Sequence, residues 1–122
     1  MLTLDRPKVY VESSTISYLT AKPTEEPVRK AKQILTHQWW KRRESFGLYI
    51  SQSVIDEIGL GDSEAAELRL QAIQGIPVLN LDGNVERLVD AFLTKEAVPS
   101  QSRTDAEHIA FATVFGMDFL IT

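Results

Sequence analysis

The stretch Val9-Tyr10-Val11-Glu12-Ser13-Ser14-Thr15-Ile16-Ser17-Tyr18-Leu19 constrains the fold more than any other part of the chain. A short run of β-branched and aromatic residues opens it. A carboxylate follows, then two serines, then an apolar segment. This order reads as a buried strand that carries Glu12 to its carboxyl end and turns directly into a helix. In open α/β sheets, ligands bind outside the carboxyl ends of the strands. A carboxylate placed there is either a helix-end charge or part of a site, and its partners decide which.

The remaining elements alternate between strand and helix, which predicts an α/β domain with a mainly parallel sheet. The first strand is expected over 8–12, with Ser13 or Ser14 capping a helix to about Leu19. Thr24 is expected to cap a long helix that carries Pro27 in its first turn and ends near Arg43 to Ser45. Val28, Ala31, Leu35 and Trp39 recur at helical spacing along it and predict its buried face. Leu48-Tyr49-Ile50 reads as a second strand, and Ser53 as the cap of a helix over Val54 to Leu60 that Gly59 and Gly61 close. Ser63 opens another helix, to about Ile73, and Gly75 ends it. Pro77-Val78-Leu79 begins a third strand. Asp82 or Asn84 starts a helix through about Thr94, whose Val85, Leu88, Val89, Phe92 and Leu93 are expected as core or dimer surface. Val98 to Ser102 reads as a loop. Thr104-Asp105-Ala106-Glu107 fits a capping box, with Gly116 as the residue after the helix and Asp118 to Ile121 as the last strand.

With 122 residues and no internal repeat or linker, residues 1–122 are expected to form one domain. Cysteine is absent, which excludes disulfides, thiolate metal sites and cysteine nucleophiles and is compatible with a reducing cytoplasm. No apolar run approaches the roughly 20 residues of a membrane span. The net charge of −4 argues against a generally basic nucleic-acid coat, while leaving room for a local basic patch.

Three carboxylates stand in similar local positions: Glu12 at a strand end, Glu57 on the helix after the second strand, and Asp105 in the first turn of a late helix. In a parallel α/β sheet all three can converge at one end. Two unit charges about 4 Å apart repel by roughly 4 kcal/mol at an effective dielectric near 20. Protonation or a divalent cation must offset this, and oxygen-only ligation suits Mg²⁺ or Mn²⁺ with several waters retained. Taken singly, each acid has a plainer reading, as a helix-end anion or a solvated side chain.

These segments together, with Ser51-Gln52-Ser53-Val54-Ile55-Asp56-Glu57 and the run from Asp105 to Ala112 followed by Gly116 to Thr122, resemble the successive motifs of PIN-domain proteins. The nearest likeness is to VapC-like toxins of type II toxin–antitoxin pairs. The resemblance implies a three-layer α/β/α fold with a parallel sheet of four or five strands. It implies an Mg²⁺- or Mn²⁺-dependent endoribonuclease in the cytoplasm, an antitoxin partner and a homodimer. It places Glu12, Glu57 and Asp105 at the first three acidic positions, as catalytic and metal-binding groups. Ser13 or Ser14 falls at the substrate-binding hydroxyl position.

The first acid is Glu where most of the family has Asp, which moves the ligating oxygens about 1.5 Å outward. The family also continues past the Thr matching Thr122 with a polar fourth position, so the chain reads as lacking that C-terminal end. Asp118 is the only late carboxylate. A catalytically weak PIN-like module that binds a partner protein or RNA is therefore the alternative function.

Outside this set, His108 lies three residues after Asp105 on the same helix face and is expected as a partly exposed histidine bonded to a nearby carboxylate. Trp39 and Trp40 beside Lys41-Arg42-Arg43 could hold single-stranded RNA. The simpler expectation is one buried and one half-buried indole at a solvated helix end. Gly59-Leu60-Gly61 lacks the Lys-Ser/Thr of a phosphate-binding loop. A phosphatase of another α/β fold is disfavoured by the absence of Asp-x-Asp after the first strand.

Overall fold

A computed structural model describes residues 6–95 and 103–122. Strand β1 (Lys8–Val11) leads into α1 (Ser13–Thr20), then α2 (Pro27–Trp40) and a 3-10 turn at Arg43–Ser45. Strand β2 (Gly47–Ser51) is followed by α3 (Gln52–Ile58) and α4 (Ser63–Ala72). Strand β3 (Val78–Leu79), α5 (Gly83–Thr94), α6 (Arg103–Val114) and β4 (Phe119–Ile121) complete the order. The expected loop over Val98 to Ser102 lies outside the described residues.

The sheet has four strands in the order β3-β2-β1-β4, and every pairing is parallel. The chain steps in one direction from β1 through β2 to β3, then returns past β1 to β4. Right-handed crossovers therefore place the helices α1 to α4 on one face and α5 and α6 on the other. The packing agrees: α1 contacts α2, α3 and α4, whereas α5 contacts α6. Val9, Tyr10 and Val11 are all buried. Successive strand residues point to opposite faces, so β1 is covered on both, as expected for the centre of a parallel sheet.

The caps account for much of the local structure. Glu26, Ser51, Asp62 and Asp82 each accept a backbone N–H with the side chain at the starts of α2, α3, α4 and α5. Several expected caps shift accordingly. Thr24 accepts from the Glu26 N–H one turn before the helix instead of capping it. Ser51, at the strand end, caps α3 in place of Ser53. Glu12 occupies the N-cap of α1, with Ser13 and Ser14 already inside. Thr104 is likewise inside α6 and not at its N-cap, which lies outside the described residues. Gly116, at φ +66, follows α6 with the paired hydrogen bonds Gly116 N–H to Thr113 O and Met117 N–H to Ala112 O. This is a Schellman ending, and its left-handed residue favours glycine.

The predicted apolar face of α2 is not buried. Val28 is 61% exposed and Leu35 64%, whereas Gln33 is buried. The reason is that α2 packs on α1 rather than on the sheet. Gln33 is fixed by the chain that enters the helix: its carbonyl accepts from the Thr24 N–H and its amide donates to Lys22 O. Trp39 and Trp40 are both partly buried against the core, so neither is the fully buried indole expected. Arg43 lies over the Trp40 ring at 4.8 Å. Val85 and Val89 on α5 are core residues, with Leu88, Phe92 and Leu93 packed against them.

Ile16, fully buried on α1, should lose about 2–5 kcal/mol of stability on substitution by Ala. Leu35→Ser on the exposed face of α2 should change it by no more than about 0.5 kcal/mol. Urea unfolding of both variants measures the contrast, and a large loss from Leu35→Ser would mean that this face is covered.

Candidate active site

The topology selects the end of the sheet where a site belongs. The order β3-β2-β1-β4 reverses direction at β1, and the crevice of an open α/β sheet lies at the carboxyl end of such a switch. Glu12 is the residue there. Its N–H donates to Ile121 O at the end of β4, and the Thr15 hydroxyl donates to the same carbonyl. These bonds hold the β1–α1 junction against β4. Unlike the N-cap side chains of α2 to α5, that of Glu12 makes no capping hydrogen bond.

The Glu12 carboxyl is half-buried, and its pKa is raised above the ordinary 4.5. Burial is the main cause. His108 offsets part of it, and Asp105 and Glu57 push it further up. The three predicted acids and His108 therefore share one electrostatic neighbourhood. Asp105 is exposed near the start of α6. Glu57 is about one-third exposed on α3. Ser13 and Ser14 form the half-exposed first turn of α1. Ser14 also lines an open cavity with Thr15, Tyr18, Lys32, Trp39 and Thr122.

His108 differs from expectation in its exposure. It is buried, and its Nε2 lies 2.7 Å from Glu57 Oε1. Its Nδ1 lies 2.6 Å from the Tyr10 hydroxyl, which is also 2.6 Å from Ser51 Oγ. Tyr10 and Ser51 were not singled out in the sequence. The available signal was a tyrosine at the centre of a buried strand, because a buried phenol needs a hydrogen-bond partner. Burial pushes the Tyr10 phenol well above its ordinary 10.0, partly offset by its bond to Ser51, with Glu12, Glu57 and Glu107 adding to the rise. Tyr10 thus remains a neutral donor and acceptor.

Glu107 has its own partners. It accepts from the Ser53 hydroxyl at 2.7 Å and lies 3.8 Å from Arg103, joining α3 to α6. Asp118 is at the opposite end of the sheet. Its carboxylate accepts the Lys8 N–H and its own N–H donates to Lys8 O, both at 2.8 Å, at the amino end of β1.

The oxygen-only donor set of Glu12, Glu57 and Asp105 suits a hard divalent cation. Among the described residues, however, no three His, Cys, Asp or Glu side chains are grouped closely enough to hold a metal. Mg²⁺ characteristically keeps several waters and takes only one or two protein carboxylates. The residues therefore fit a hydrated ion held partly through water.

The raised pKa of Glu12 has a defined consequence for stability. Below about pH 4.5 the carboxyl is protonated whether the chain is folded or not. As pH rises toward the folded value, the unfolded chain releases its proton first, so stability falls. In EDTA, Glu12→Gln should therefore melt above the parent at pH 7, and the gap should close near pH 4. Thermal melts at both values test this, and a lower melting temperature for the variant at pH 7 would contradict it.

No family model matches this chain, and no curated protein matches it. Among solved structures, it superposes on Mycobacterium tuberculosis VapC20, described as a sarcin-ricin loop cleaving toxin. The TM-score is 0.69 at 14% identity, over 92% of this chain and 86% of that one. At this identity the likeness is one of fold, and VapC20 is a PIN-domain protein. The α/β architecture of this chain, with its parallel sheet ordered β3-β2-β1-β4, is the PIN-like fold that its sequence resembles.

Proposed function

We propose that the chain is a metal-dependent endoribonuclease and the toxin of a toxin–antitoxin pair. The observation that carries the reading is Glu12. It stands at the switch point with its carboxylate uncommitted to capping, and it is electrostatically linked to Asp105 and Glu57. The fold shared with a toxin described as cleaving the sarcin-ricin loop supports the same chemistry.

Glu12 and Asp105 would hold Mg²⁺ or Mn²⁺, directly or through water, with Glu57 contributing from α3. Bound there, the ion supplies positive charge against the phosphate and a water of lowered pKa. Glu12, Glu57 and Asp105 would orient a water for attack on phosphorus as the P–O bond to the leaving ribose oxygen breaks and that oxygen takes up a proton, and Ser13 or Ser14 would donate to a phosphate oxygen. No covalent intermediate is required. A cluster of acids repels a polyanion, so RNA binding at this edge depends on the cation. A cognate antitoxin, a homodimer and a cytoplasmic location belong to the same reading.

One observation favours the alternative of a catalytically weak module that binds a partner protein or RNA. The only late carboxylate, Asp118, is at the wrong end of the sheet to serve as a fourth acid.

Cleavage of a labelled single-stranded RNA in Mg²⁺, Mn²⁺ or EDTA separates the two readings. Metal-dependent cleavage that Asp105→Asn abolishes, with the melting temperature kept, supports the nuclease. No cleavage by folded protein with either metal supports the binding module. Asp118→Asn should leave cleavage intact while costing about 0.5–1.5 kcal/mol of stability through the weakened bond to Lys8. Lost activity in that variant would place Asp118 in the site after all.

A further inference from the structure

We propose that His108, held by Tyr10, is a positioning residue that fixes the orientation of the Glu57 carboxylate. The inference rests on the nuclease reading for its catalytic consequence, but the holding of Glu57 is a property of the protein alone.

The argument starts from hydrogen-bond direction. A carboxylate only accepts, so the ring nitrogen facing Glu57 Oε1 at 2.7 Å must carry the hydrogen. Nε2 is thus a donor. In the neutral ring Nδ1 is then an acceptor, and the Tyr10 hydroxyl donates to it at 2.6 Å. The Ser51 hydroxyl donates in turn to the Tyr10 oxygen at 2.6 Å, while Ser51 Oγ still accepts the Val54 N–H at the start of α3. Each side-chain nitrogen and oxygen of Tyr10, Ser51 and His108 has a partner. Among the described residues, no buried side-chain nitrogen or oxygen lacks one.

Tyr10, Ser51 and His108 are each at most 2% exposed, whereas Glu57 is about one-third exposed. The chain therefore runs from the core outward and ends on a carboxylate that solvent reaches. The phenol selects which imidazole nitrogen is protonated, and the imidazole grips one carboxylate oxygen. Oε2 and one lone pair of Oε1 are left for a cation or its water. A glutamate on a helix surface otherwise samples several rotamers, and a fixed one presents its oxygens in a single geometry. This is the arrangement by which a carboxylate that binds a metal is oriented from behind, and loss of such partners usually lowers metal affinity or activity by about 10–100-fold.

A purely structural role for His108 predicts instead that its loss affects stability and leaves the site chemistry unchanged. Mn²⁺ titration calorimetry and RNA-cleavage kinetics on the full chain distinguish the two. His108→Leu removes the donor, His108→Gln keeps an amide N–H near the Nε2 position, and Tyr10→Phe keeps the ring while deleting the hydroxyl.

The expected result is a loss of about 10–100-fold in Mn²⁺ affinity and kcat for His108→Leu, with KM for RNA little changed. His108→Gln should recover most of it, and Tyr10→Phe should show a smaller loss in the same direction. Wild-type affinity and kcat in folded His108→Leu would overturn the proposal. If His108→Leu does not fold, unchanged affinity and kcat in Tyr10→Phe would overturn it equally.

A parent protein that neither binds Mn²⁺ nor cleaves RNA refutes the nuclease reading instead. The grip on Glu57 is then read from the imidazole ¹⁵N spectrum of the metal-free protein. A protonated Nε2 in slow exchange with water, made fast by Glu57→Ala, supports the proposal. An unprotonated or fast-exchanging Nε2 in the parent overturns it.

Discussion

The burial of β1 on both faces is the constraint from which the rest follows. A strand at the centre of a parallel sheet has no solvent side, so Tyr10 brings its hydroxyl into the core with its ring. A buried hydroxyl without a partner costs about 1–3 kcal/mol. Two partners meet it, and both belong to the carboxyl edge: Ser51 ends β2 and starts α3, and His108 lies on α6. The ring itself stacks on Phe111, one helical turn beyond His108. Satisfying one phenol thus joins two neighbouring strands, β1 and β2, to the helix α6 on their face. The same demand draws the buried end of the polar chain to the place where the acids gather.

The acids of this edge divide into two groups with different work. Glu107 is held by Ser53 and Arg103, which fastens α6 to α3. Glu57 is held by His108 at one oxygen only. Glu12 and Asp105 carry the remaining charge, and burial, with Asp105 and Glu57 nearby, holds the Glu12 pKa above its ordinary value. Structural acids in this chain have their oxygens engaged by donors, as at the caps Glu26, Asp62 and Asp82. The half-buried Glu12 carboxyl makes no such capping bond, and ionising it costs the fold stability.

The sequence made the sheet and its acids legible because both depend on local order. Alternation of strands and helices predicted the parallel sheet, and Glu12, Glu57 and Asp105 fall on the elements expected of them. The α2 face was misread because periodicity reports that a helix has an apolar stripe, not what the stripe meets; α1 stands between α2 and the sheet. Cap positions moved by one to three residues because neighbouring Ser, Thr and acidic side chains compete for the same N–H groups, and the backbone turn decides among them. His108 was read as partly exposed because its partner Tyr10 lies 98 positions away, where no local pattern reaches.

The position of Asp118 shows why charge at this edge is limited by topology. Strand β4 runs parallel to β1, with Phe119 level with Val9 and Ile121 level with Val11. Asp118 precedes the strand, so about three residues at roughly 3.3 Å each separate it from the carboxyl edge. It is anchored there by Lys8 through both its backbone and its side chain. No rotamer carries a carboxylate back over that distance, so Asp118 reinforces the amino end and adds nothing to the acid cluster. Among the described residues, the carboxyl edge carries Glu12, Glu57, Asp105 and Glu107, together with a histidine that donates to one of them. Of these acids, Glu57 is the one held from behind by a chain of hydrogen bonds, through His108 to Tyr10 and Ser51, that the buried strand itself requires.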